Sequence, residues 1–452
     1  MANIAIVGSG FRGIFDALIL SQNKKNKITI YDKANFFGGI SRSRKICGFN
    51  VDMGVHMFDS IQKELYQIVS EVMDGKMQTI DFISQSAYKN SITDGYSLPD
   101  LSSESDLVKK NITSELYDLA SNPQKAIEKI KKSDKLNTLL INRYGETAGK
   151  IFSGIFRKVY NIEAEFCDCN ALNKTSLGRL KYLDDESMIT LKQDKYLDTI
   201  LAARRKSIGI VDNYVSGYPS DGNAMGGFCD RVQNLLSNRD VEIRLGRDIK
   251  IELKKKHLKV SEKENKINKE FDHLIWAADN LNPLLNDLSI NINLDKYLYK
   301  TPMIFAVLVT DFEHIKNFTY MQNFSHKSIT YRTSAAGIYS NQKSMDNKSF
   351  LTAECPCSLD NISNIDEKDL INKIWKEVKK LKIVDKNAEL YDFKLLKVAK
   401  SFQVPKIGFS KNYELASEQL NHYSDLISYH SLKLFFRREL YQESKDLTEI
   451  FN

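Results

Sequence analysis

The sequence predicts an α/β fold in which a parallel βαβ unit opens the chain and later segments complete its sheet, with a helical insertion and a mixed sheet elsewhere. Three observations lead there. Ile4-Ala5-Ile6-Val7 is a short apolar strand, residues 11–22 carry helical periodicity, and Lys27 to Tyr31 alternates before ending at Asp32. Gly8-Ser9-Gly10-Phe11-Arg12-Gly13 forms the turn between the first strand and the helix. Leu274-Ile275-Trp276-Ala277-Ala278 is a fully apolar run of the kind a central parallel strand needs, buried on both faces.

The turn carries the first chemistry. In a G-x-G-x-x-G between strand and helix, the first glycine permits the tight turn and the second lets backbone approach a pyrophosphate. The third lets helix and strand pack closely. The free N–H groups at the helix start favour an anion. Asp32 lies 24 residues past Gly8, at the end of the second strand, where a carboxylate accepts from ribose hydroxyls. This is a dinucleotide site with Gly8, Ser9, Gly10, Phe11, Arg12, Gly13, Tyr31, Asp32 and Lys33 as its expected residues. A second glycine turn follows, Gly38-Gly39-Ile40-Ser41-Arg42-Ser43. A nicotinamide enzyme has no need of it, whereas the longer FAD runs past such a loop and takes backbone donors and a cation there. The expected domain is therefore Rossmann-like and FAD-binding.

The continuation, Gly48-Phe49-Asn50-Val51-Asp52-Met53-Gly54-Val55-His56, brings the N-terminus to a specific resemblance. Together with the two glycine turns and Asp32, it resembles the flavoprotein superfamily of amine oxidases, protoporphyrinogen oxidases, phytoene desaturases and UDP-galactopyranose mutases. Arg143-Tyr144-Gly145-Glu146 to Tyr160 resembles a helical segment of the substrate domain in those branches, and Phe271 to Ala278 the strand that closes their flavin domain. The resemblance implies FAD as cofactor, with Gly54, Val55, His56 and Met57 near the isoalloxazine, Ile249 bracketing the adenine and Ala277 lining the site. His56 is then a catalytic candidate, donating to flavin or shuttling a proton, the alternative being a structural histidine satisfied by backbone. Arg332 is the second, pairing with a substrate phosphate or carboxylate, the alternative being a surface arginine. Arg437 reaches toward cofactor or phosphate, or lies on a solvated helix face. One departure stands out: the family usually ends in a glycine-containing pair beside the flavin phosphates, and no glycine follows Gly408 here. Ser428 or Ser431 is expected to cap a helix over Leu432–Leu440 in its stead.

Residues 1–75, 212–290 and 400–452 are expected to form the FAD-binding domain. Residues 76–211 form a largely helical cap and 291–399 a mixed α+β substrate domain. Within these, the sequence predicts one helix over Asn142–Ile162, a loop over Ser102–Lys110 and a polar hairpin tip at 261–270. The formal charge of +7, from 65 basic and 58 acidic residues, is spread along the chain in short runs. It argues against a nucleic-acid groove and is compatible with an anionic substrate such as a nucleotide sugar or a carboxylate. The apolar start contains Arg12, Asp16 and three glycines, so it reads as strand and helix rather than a signal peptide. No run approaches a membrane span, and a cytoplasmic location is the default expectation. The six cysteines, two pairs of them as Cys-x-Cys, lack ligand spacing, so no metal is expected. Oligomeric state is not legible.

Three functions follow: an oxidoreductase passing a hydride from a small organic substrate to flavin N5, a redox-neutral nucleotide-sugar mutase or related sugar-modifying flavoprotein, or a degenerate flavin-binding protein without catalysis.

Overall fold

The computed structural model describes residues 2–81, 83–89, 91–203, 214–264, 267–363, 365–434 and 436–451. The chain divides into two compact units: residues 1–80, 212–296 and 411–452 form the first, residues 81–211 and 297–410 the second. The helical stretch and the mixed sheet, read from sequence as separate regions, fall in this one second unit. The junction expected at 211–212 lies outside the described residues.

The first unit is built on a five-stranded parallel sheet. Its strands are β1 (Asn3–Val7), β2 (Lys27–Tyr31), β3 (Glu242–Arg244), β4 (His273–Trp276) and β5 (Ile427–Tyr429), in the order β3-β2-β1-β4-β5. β1 lies at the centre, and Ile4, Ala5 and Ile6 are fully buried there, which is why the strand has no polar face to alternate with. Three helices matter for the site: α1 (Phe11–Leu20), α2 (Ala224–Asn238) and α3 (Arg437–Thr448). Ile14, Phe15 and Leu18 bury the inner face of α1. An antiparallel sheet of Phe58–Gln62, Tyr214–Pro219 and Met77–Thr79 belongs to the same unit.

Ile249–Leu253, Leu258–Glu262 and Asn268–Phe271 form a second antiparallel sheet; residues 265 and 266 of the expected tip lie outside the described residues. The polar tip read over 261–270 thus contains the end of one strand and most of another. Alternation of Asn268-Lys269-Glu270-Phe271 about a single apolar residue is too weak a period to show a strand in sequence.

The second unit carries a seven-stranded mixed sheet, ordered Asp392–Val398, Met303–Asp311, Lys348–Pro356, Arg332–Ser334, Tyr320–Asn323, Ser84–Tyr88 and Ser91–Asp94. All its pairings are antiparallel except that of Tyr320–Asn323 with Ser84–Tyr88. A helical cluster packs around Leu140, Tyr144, Phe152, Ile155 and Phe156. The helix expected over 142–162 is two helices, Leu136–Tyr144 and Glu146–Tyr160. Gly145 breaks it with φ 83°, and the Glu115 carboxylate caps the new start by accepting from Thr147 N at 2.8 Å. The loop expected over 102–110 becomes helix at Asp106, where Ser105 accepts from Val108 N. Among the described residues no helix is long and apolar enough to cross a membrane.

Candidate dinucleotide site

The two glycine turns, thirty residues apart in sequence, meet in the first unit. Gly38 N donates to Ser9 O at 3.0 Å, and a Cβ placed on Gly39 would lie 3.3 Å from Gly10 Cα. Gly13 must be glycine for packing, since its Cβ would fall 1.9 Å from Gly8 O. Gly38 must be glycine on two counts: φ is +105°, and a Cβ would lie 2.4 Å from Cys229 Sγ. Gly10 is different. It has φ −74° and ψ −171°, open to any residue, and a Cβ there would meet nothing within 4 Å. Open space therefore stands at the helix start, where a helix leaves its first N–H groups without intrahelical partners, and such a place fits a pyrophosphate.

Asp32, just past the end of β2, is tied to the first glycine turn. Its Oδ2 accepts from Ser9 N at 2.7 Å and Ser9 Oγ at 2.6 Å, and Oδ1 from Ala34 N at 2.8 Å. These bonds hold the carboxylate at the strand end and leave lone pairs for hydroxyls. Arg247 N donates to Asp32 O at 2.8 Å, which brings Ile249 to this end of the sheet. Tyr31 is buried, and burial raises its hydroxyl pKa. Lys33 is exposed, 3.6 Å from Asp248. Ala277 N donates to Val7 O at 2.8 Å, placing Ala277 beside the turn.

The cations are placed differently from their reading in sequence. Arg12 is turned away from its own turn: it pairs with Asp279 and donates to Ser431 O and Leu434 O, both at 3.3 Å. Arg42 pairs with Asp230 and reaches Gly226 O. Arg437 corrects the solvated-face reading. Its guanidinium carbon lies 4.3 Å over the Phe11 ring, and Nη2 is 3.5 Å from His56 Nδ1. Burial pulls Arg437 down to about 10 against the opposing pull of Asp52 and Asp59. The Nε atoms of Arg12 and Arg437 are both buried without a hydrogen-bond partner. Arg437, incompletely satisfied and close to His56, suits an anionic ligand.

Around His56, Gly54 and Met57 are buried and Val55 and His56 half-buried. His56 N donates to Gly54 O at 3.1 Å. Ile40 is exposed on the second turn. Sequence reasoning passed over Asp52, which organises this region. It is buried and accepts from Ser43 Oγ and Tyr218 OH, both at 2.5 Å, and from Met225 N at 3.3 Å. Burial pushes its carboxyl up to about 6, with Ser43, Tyr218 and Met225 opposing. Ser43 Oγ in turn accepts from Gly226 N at 2.6 Å, so Ser43 and Asp52 fasten the second glycine turn to the start of α2. The presence of Asp52 within the Gly48–His56 run was the available signal.

Arg332 lies in the second unit, and a surface position does not describe it. Nε and Nη2 donate to Glu354 Oε1 at 2.8 and 2.6 Å, with Glu354 buried. Burial raises the Glu354 pKa despite the arginine. Glu354→Gln is expected to destabilise the chain by about 3 kcal/mol, since it strands a buried guanidinium. Urea unfolding checks this, and a loss under about 0.5 kcal/mol, the range of an exposed pair, would contradict the buried-pair account.

The family model of the NAD(P)-binding Rossmann-like domain matches residues 6–72, the stretch that holds both glycine turns and His56. No curated protein matches the chain in sequence. Among solved structures, the chain is similar over 100% of its length to reduced UDP-galactopyranose mutase, covering 95% of that chain at 16% identity with a TM-score of 0.72. It is similar to a protein from Exiguobacterium sp. 255-15 assigned as a protoporphyrinogen oxidase, covering 100% of this chain and 98% of that one at 13% identity, TM-score 0.66. Putrescine oxidase bound to putrescine aligns over 99% of this chain and 98% of its own at 13% identity, TM-score 0.59. The fold is therefore that of the oxidase and mutase type with a Rossmann-like nucleotide-binding domain. At these identities the likeness establishes the fold and leaves the reaction to the site.

Proposed function

We propose that the chain is an FAD-dependent oxidoreductase that takes a hydride from a small organic substrate, with FAD lying along the contact between the two glycine turns. The observation that carries this reading is the open space at Gly10 beside the abutting Gly38-Gly39 turn. A single turn serves a nicotinamide dinucleotide, and the second turn extends the backbone track for a longer cofactor. When bound, FAD supplies the hydride acceptor. The chain's own residues bind and orient it: Asp32 takes ribose hydroxyls, the turn amides take the pyrophosphate, and Arg437 offers charge beside His56. His56 is the candidate for moving or holding a proton at Nδ1 or Nε2. Arg332, committed to Glu354, remains a candidate only if substrate displaces that pair.

A redox-neutral second reading, a nucleotide-sugar mutase or related sugar-modifying flavoprotein, is supported by the full-length likeness to UDP-galactopyranose mutase. The visible spectrum of the purified protein tests the cofactor. Bands at roughly 370 and 450 nm, intrinsic to flavin, are expected as isolated or after FAD is added. Their absence with excess FAD would leave a degenerate, non-catalytic fold. Bleaching of the bound flavin by substrate, with reoxidation by oxygen or a quinone, supports the oxidoreductase, whereas nucleotide-sugar binding only after dithionite reduction supports the mutase.

A further inference from the structure

Residues 430–434 follow β5 and run beside the dinucleotide turn to α3, in the stretch that contains no glycine. His430 is fully enclosed there, and each ring nitrogen faces a carboxylate. Nε2 lies 3.0 and 2.8 Å from the two oxygens of Asp16 on α1, and Nδ1 lies 2.7 Å from Glu443 Oε2 on α3. A carboxylate only accepts, so both nitrogens are served as donors when the ring is an imidazolium. The remaining Glu443 oxygen accepts from Ser431 N at 2.8 Å, and His430 N donates to Trp276 O at 3.0 Å at the end of β4. Arg12, from the glycine motif, also donates to Ser431 O and Leu434 O.

We propose that His430 is a positioning residue: as an imidazolium between Asp16 and Glu443, it fixes residues 430–434 and the start of α3 against the dinucleotide turn, and so sets Arg437 over Phe11. The cofactor half of this proposal rests on the FAD reading above; the latch half does not.

The latch is proton-dependent. Burial alone would strip His430 of its proton, but Asp16 and Glu443 together outweigh it and raise the ring to about 9. A basic group raised in the folded state stabilises fully below its ordinary value, roughly 6.5, and that contribution is lost as pH rises through about 9. Other titratable groups face the segment. Tyr413, on the helix Phe409–Asn421, accepts from Leu432 N at 3.3 Å, and burial pushes the Tyr429 hydroxyl up beside Glu443. A His430→Gln variant separates their titration from that of the histidine.

Hydrogen exchange at the amides of residues 430–434 in the full chain, corrected for base catalysis, tests the latch without any cofactor. In the unsubstituted chain, protection should fall about tenfold or more between pH 8 and 10. His430→Gln should be unprotected at pH 7 and show no step. Flat protection in the unsubstituted chain, or a step that survives in the variant, overturns the latch. If His430→Gln fails to fold, the imidazole resonances of the unsubstituted chain, followed through the same range, decide whether a cationic ring persists above pH 8. FAD titration by flavin fluorescence reads the second half, with Kd expected to rise about tenfold across the same interval. An unchanged Kd alongside a clear exchange step overturns the positioning role alone. Absence of FAD binding at every pH overturns the cofactor reading and the positioning role with it, while the exchange result still decides the latch.

Discussion

Gly10→Leu is expected to yield a folded protein that no longer binds FAD as proposed above. The backbone at Gly10 is extended, with φ −74°, and a Cβ would meet nothing within 4 Å, so the backbone is not strained and the first side-chain atom has room. Gly10 is the N-cap of α1 and makes no side-chain cap bond, so the stability cost stays near 1 kcal/mol. The leucine instead fills the space kept open above the helix start. FAD affinity should fall at least 100-fold, or about 2.7 kcal/mol, as measured by fluorescence titration on protein whose far-UV spectrum and urea midpoint match the parent. Unchanged affinity would mean that the dinucleotide does not pass over Gly10.

Three residues on, the same turn should respond in the opposite manner. Gly13→Ala adds one methyl group 1.9 Å from Gly8 O and 3.3 Å from Ile6 Cγ2. The obstacle is backbone rather than the end of a flexible side chain, so α1 must lift off β1 or the turn must open. Either movement exposes Ile14, Phe15 and the central strand, and a loss of more than about 3 kcal/mol is expected. Urea unfolding checks it. A variant within about 1 kcal/mol of the parent would show that helix and strand are not packed this closely. The pair of substitutions separates a glycine kept for a ligand from one kept for packing, a distinction that the motif alone does not make.

The turn was legible in sequence because its geometry is local. Strand, glycine spacing and Asp32 lie within thirty-two residues, and the physics linking them is backbone conformation at fixed offsets. The second turn was legible for the same reason. The roles of Arg12, Arg42 and Arg437 were not, because each is decided by a carboxylate or ring from a distant segment: Asp279, Asp230 and Phe11. Asp16, His430 and Glu443 are the extreme case, since no periodicity marks an aspartate in an apolar helix as the partner of a histidine over four hundred residues later. The C-terminal helix was misplaced for a different reason. The Leu, Phe and Arg of 432–440 look amphipathic, yet α3 begins at Arg437 and runs to Thr448 through mostly polar residues. Its start is served by Glu439, which accepts from Phe436 N at 3.2 Å, and not by Ser428 or Ser431. Packing against α1, rather than its own composition, stabilises that helix.

The interleaving of the two units bears on how the molecule comes into being. The chain passes from one unit to the other four times, at 80–81, 211–212, 296–297 and 410–411. β1 pairs with β4 about 270 residues later in the chain, and β4 pairs in turn with β5 about 150 residues further on. The strand–helix–strand unit of β1, α1 and β2 must therefore keep one sheet edge open until β4 is available, and loop closure over such separations is slow. Neither unit corresponds to a contiguous gene fragment. Halves of this protein made by simple truncation would each carry unpaired strands, and productive folding needs all five of these segments together.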